Sequence, residues 1–101
     1  MSIFDDDVMK YTDIIAFNGG LAKDVGLESA VIYSYLTPQF DFESNDGWLL
    51  INYNEINERM PYINYESVIK SINILAKEDY YIKGYEFVND RNELVCFYSN
   101  K

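Results

Sequence analysis

Apolar residues recur at helical spacing through the front of this chain and give way near the end to two runs rich in aromatic and branched residues. Phe4, Val8, Tyr11 and Ile15 fall on one face, and Asp5, Asp6 and Asp7 suit the positive end of a helix dipole, so a helix is predicted over 5–17. Gly19-Gly20 reads as a break. Leu21 to Gly26 reads as a short helical turn stopped by glycine. Leu27 to Leu36 reads as a helix with Leu27, Val31 and Tyr35 inward, stopped at Thr37-Pro38. Gln39 to Gly47 is then a loop anchored by Phe40 and Phe42 and ending in the turn residues Asn45-Asp46-Gly47.

Trp48 to Ile51 is short and apolar enough for a brief buried strand. Asn52 is placed to cap the next helix, with Glu55 three positions on, Ile51 and Ile56 as a hydrophobic staple, and Tyr53, Ile56 and Met60 on one face. Pro61 ends that helix. Asn64 caps a longer one whose Val68, Ile72 and Leu75 face inward with Ile69 and Ala76 beside them. Tyr81 to Val88 and Glu93 to Ser99 read as a hairpin about the polar turn Asn89-Asp90-Arg91-Asn92. The expected fold class is α+β: a winged helix-turn-helix with a short strand before the two joined helices, a C-terminal hairpin wing and an added N-terminal helix. One domain over 1–101 is expected, with 1–20 as the N-terminal helix and glycine break and 21–101 as the core.

Composition narrows the chemistry. An apolar fraction of 49% and an aromatic fraction of 17% belong to a globular chain. No run approaches the roughly 18 apolar residues of a membrane helix, and Met1 to Asp7 lacks a basic and then apolar leader, so a cytoplasmic protein with no membrane contact is expected. With no His and one Cys, the usual zinc and haem ligand sets and the Ser-His and Cys-His pairs are absent. No cofactor, no metal and no catalytic residues are expected, and Cys96, within an apolar stretch, reads as a buried structural thiol. The net charge is −9. Residues 1–59 hold three basic groups against eleven acids, and residues 60–101 hold five against six, so the acid excess belongs to the front.

Val25-Gly26-Leu27 followed by Ala30, Asp46-Gly47-Trp48 before a short strand, Tyr53-Asn54-Glu55-Ile56 opening a helix, Pro61, and Ser67 to Leu75 before Tyr81-Ile82 carry a resemblance over roughly residues 21–98. In order and spacing they resemble the winged-helix modules at the amino ends of phage and plasmid replication proteins from low-GC Gram-positive bacteria. The resemblance implies that Asn64 to Asp79 is a recognition helix and Asn89 to Asn92 a wing tip. It makes Asn64, Tyr65, Glu66, Lys70, Asn73 and Arg91 the candidates for meeting nucleic acid. The start of that helix reads Asn-Tyr-Glu-Ser-Val-Ile-Lys where relatives carry several bases, and its end reads Glu78-Asp79 where they often carry Gly.

Two roles are therefore expected, and a third is weighed with them. In the first, the chain is a non-enzymatic mobile-element protein that inhibits or redirects a host protein, a basic nucleic-acid-binding enzyme, as anti-CRISPR proteins and replication inhibitors do. Asp5, Asp6, Asp7, Asp41, Glu43, Asp46 and Tyr65 would then make the contact. In the second it is a DNA-binding regulator or initiator domain using Asn64, Tyr65, Lys70, Asn73 and Arg91, weak as a monomer because phosphate contacts are few. In the third it is a homodimer packed through Tyr80, Tyr81 and Tyr85, with ordinary core and wing packing the expectation for at least two of the three.

Overall fold

A computed structural model describes residues 19–100, so the helix expected over 5–17, with Asp5, Asp6 and Asp7, lies outside the described residues. The chain passes through α1 (Gly19–Val25), α2 (Leu27–Glu43), β1 (Trp48–Asn52), α3 (Tyr53–Arg59), α4 (Tyr65–Lys77), β2 (Tyr81–Val88) and β3 (Leu94–Asn100). The strands form one antiparallel sheet in the order β1-β3-β2, with Trp48 opposite Ser99 and Ile82 opposite Ser99 from the other side. Four described helices and a three-stranded sheet make an α+β fold compatible with a winged-helix-like arrangement.

Strand alternation divides the sheet into two faces. Leu49, Ile51, Cys96, Tyr98 and Tyr81 join the buried core with Val31, Ile32, Leu36, Tyr53, Ile56, Val68, Ile72 and Leu75 from the helices. Trp48, Leu50 and Ile82 lie on the opposite, open face. Ser29 and Ala30 are buried where α2 meets α4, and the Ser29 hydroxyl donates to the Ser71 carbonyl at 3.1 Å. Small side chains let those two helices approach closely.

The local signals of the second half formed as read. The Asn52 side chain accepts from the N–H groups of Asn54 and Glu55 (2.9 and 3.2 Å), and both staple residues, Ile51 and Ile56, are buried. Asn64 accepts from Ser67 N–H at 2.8 Å and starts α4. That helix ends on Asp79 in the left-handed region (φ 68°), with Tyr80 N–H returning to the Leu75 carbonyl, so aspartate takes the place glycine often fills. The hairpin closes through Asn89 and Glu93, with Asn92 left-handed at φ 62°.

The first half departs from its reading in three places. Gly19 and Gly20 open α1, and the chain before them lies outside the described residues. Leu27 is exposed and Tyr35 half-buried; the inward positions of α2 are Ala30, Val31, Ile32, Leu36 and Phe40. Thr37-Pro38 does not stop α2, which continues to Glu43. Pro38 has no N–H for the Ser34 carbonyl, an omission that costs about 3 kcal/mol in a helix interior. Phe40, 3% exposed and 5.1 Å from the Tyr81 ring, offsets it, since burying such a side chain gives about 1.5–3 kcal/mol. The Thr37 hydroxyl also donates back to the Tyr33 carbonyl at 2.8 Å. Only one of the two expected anchors holds, for Phe42 is 87% exposed.

Candidate protein-binding groove

The extension of α2 beyond Pro38 creates one wall of a groove of about 450 Å³. Tyr35, Gln39 and Glu43 stand on that wall, Leu50 of β1 forms the floor, and Glu55, Glu58 and Arg59 of α3 form the facing wall. Three carboxylates against one guanidinium leave the groove acidic. The floor is the β1 edge at Leu50, Ile51 and Asn52, and most of the surface exposed in the groove is polar.

Electrostatics at the end of α2 run against helix stability. Its last turn holds Asp41 and Glu43 and no base. The carboxyl end of a helix carries partial negative charge, so carboxylates there are unfavourable by roughly 0.3–1 kcal/mol each. Among the described residues, neither makes a salt bridge. Asp46 is exposed two residues into the following hairpin turn, where φ is 54° at Asp46 and 84° at Gly47. Of the expected partner residues, Glu43 lines the groove, Asp41 and Asp46 lie just beyond it, and Tyr65 does not line it but packs half-buried against the core.

The hairpin turn is tied to the start of α3 by a residue whose role the sequence did not disclose. The carboxylate of Glu93 accepts from the side-chain amides of Asn52 (3.0 Å), Asn54 (2.9 Å) and Asn89 (3.3 Å) and pairs with Arg91 at 3.1 Å. Those amide bonds, and secondarily the Arg91 charge, hold its carboxyl below the usual range. Arg91 also reaches Glu55 at 3.3 Å. The one base of the turn is thereby turned back onto the protein.

The outward side of α4 presents Glu66, Lys70, Asn73 and Lys77 around the half-buried Ile69 and Ile74. Lys77 joins Lys70 there and makes no salt bridge among the described residues; its spacing of seven from Lys70 placed both on one face, a signal present in the sequence. Of the other nucleic-acid candidates, Asn64 is engaged as a cap, and Asn73 accepts from the Tyr98 hydroxyl at 3.4 Å.

The tyrosines expected at a self-contact separate. Tyr81 is 2% exposed and stacked on Tyr33 at 5.6 Å, and the Tyr80 hydroxyl donates to Asp24 at 3.4 Å, so both serve internal packing. Tyr85, 69% exposed, stacks on Phe87. Inside, the hydroxyls of Tyr53 and Tyr98 meet at 2.8 Å, and burial pushes Tyr98 up to about 12 and raises Tyr53 further. Burial likewise raises Cys96 and holds it as a thiol. Among the described residues no group of three or more acidic or sulfur ligands is arranged to hold a metal ion, and no helix is long and apolar enough to cross a membrane.

Comparison with known proteins finds no matching family, no similar curated protein and no similar solved structure.

Proposed function

We propose that this chain is a non-enzymatic protein-binding module of winged-helix type that captures a basic, nucleic-acid-handling host protein through the groove between α2, β1 and α3. In this reading α3 and α4 are the helix-turn-helix and β2-β3 the wing. The observation that carries it is the placement of Asp41 and Glu43 at the negative end of α2, beside an open groove that Glu55 and Glu58 also line. Carboxylates that oppose their own helix dipole gain most from an arriving cation, because the cation meets the side chains and the helix end together. The resemblance to phage and plasmid replication modules supports a partner in replication or defence.

DNA binding through α4 is the weaker reading. Asn64 and Arg91 are engaged internally, which leaves Lys70 and Lys77 for phosphate contacts. Affinity capture from a nuclease-treated lysate of low-GC Gram-positive bacteria separates the two. A basic partner should be recovered by the wild type and by the double variant K70E/K77E, and lost at least about tenfold with E43K/E58K. Undiminished capture by E43K/E58K overturns the proposal. Duplex binding at about 50 mM salt that K70E/K77E abolishes establishes the other reading.

A further inference from the structure

The floor of the groove is the outer edge of a sheet, and backbone geometry shows which groups it offers. Asn45 and Trp48 exchange both backbone hydrogen bonds, at 2.8 and 3.0 Å, across the two-residue turn Asp46-Gly47. The N–H and C=O of Trp48 therefore point away from β3. Along an antiparallel strand these directions alternate residue by residue, so Leu49 and Ile51 turn to β3, and Leu50 turns, like Trp48, to the outside.

The row that Asn45 begins beside Trp48 does not continue. Ser44 is extended (φ −70°, ψ 150°), but Glu43 before it is already helical, so the chain leaves the sheet after a single bridge. Nothing among the described residues pairs with the outward N–H and C=O of Leu50. Past Leu50 the edge closes, because Asn52 caps α3 and its carbonyl enters the first helical turn. One donor and one acceptor, spaced as in a strand pair, thus stand between the Glu43 wall and the Glu58 wall.

We propose that the groove receives an extended, Arg- or Lys-bearing segment of a partner protein as an added strand. One of its residues pairs with Leu50, and its basic side chains reach Glu43 on one side and Glu58 on the other. This rests on the acidic-groove reading above and adds the conformation and chemistry of what is bound. Main-chain bonds fix register in such additions while the side chains select composition. An edge of one residue gives little affinity alone, so the carboxylates must supply the rest; an acidic strand is repelled by the same charges, and a neutral one gains nothing from them.

The test uses the full chain and a capped five-residue peptide alternating Val and Arg, with two derivatives N-methylated either at every Val or at every Arg. In a strand alternate amides face one edge, so one derivative should lose about tenfold or more in affinity while the other stays within about threefold of the parent. Exchange of the Leu50 amide with solvent should slow on binding. E43Q and E58Q should each weaken the parent peptide by about threefold. If both methylated peptides bind like the parent while E43Q and E58Q still weaken it, strand addition is wrong and the acidic-groove reading stands. If the parent binds indifferently to E43Q and E58Q, or fails to bind at millimolar concentration in low salt, both are overturned.

Discussion

In the groove between α2, β1 and α3, Glu43 and the backbone of Leu50 keep their bonding capacity directed outward. Around α4, Asn64, Asn73 and Arg91 turn theirs inward, to a helix cap, a buried tyrosine and two glutamates. Both regions are exposed and both carry charge. They differ in how many of the expected contact residues are already engaged, Lys70 and Lys77 being the bases left without an ion pair on α4, and an unengaged group bears more on binding because a partner need not first displace an internal one.

The largest effect that breaks this comparison is expected at Phe40. F40A empties the pocket against Tyr81 and should cost about 3–5 kcal/mol by denaturant unfolding. It should also disorder the end of α2, so that the groove is lost while the α4 surface stays intact by backbone chemical shifts. P38A should act oppositely, raising stability by up to about 3 kcal/mol by restoring a donor to the Ser34 carbonyl while leaving the groove's binding unchanged.

Acid separates the regions next. Glu93 is held below its ordinary range, so its contribution is complete above about pH 4.5 and is lost as pH falls through the lowered folded value. The wild type should lose stability below about pH 4.5 more steeply than E93Q. The α4 cap contains no titrating group, so N64A should cost about 1 kcal/mol at every pH. Equal acid slopes for wild type and E93Q would remove Glu93 from the hairpin-to-helix tie. The smallest effect is expected for R91A: releasing Glu55 should strengthen binding of a basic peptide by about twofold, whereas a role in DNA contact requires R91A to weaken duplex binding.

The legible parts of this fold are those whose determinants lie within a few residues of one another. The caps Asn52 and Asn64, the Ile51-Ile56 staple, the inward stripe of α4 and the hairpin turn all belong to that class. The extension of α2 was hidden because a local breaker, Pro38, is overruled by a distant contact, Phe40 on Tyr81. The same holds at the site. Glu43 was readable as an exposed acid, but the groove beside it exists only once α2 passes Pro38. The retraction of Arg91 depends in part on Glu55, far from it in sequence, and Glu93 gathers amides from the start of α3 as well as from its own turn. Internal packing was legible for two of Tyr80, Tyr81 and Tyr85, but which of the three stays exposed follows from strand register and not from residue type.

Trp48 is the chain's single tryptophan, and its ring lies so near Gly84 that an added Cβ would come within 2.7 Å of it. That contact spans all three strands, because β3 lies between β1 and β2. Trp48 and Ser99 are roughly fifty residues apart, so their pairing closes a far longer loop than the hairpin turn does. The β2-β3 hairpin, by contrast, forms over a tight turn on a microsecond scale. Indole emission in a refolding experiment therefore reports the docking of β1 onto the sheet, and it should follow hairpin formation in time.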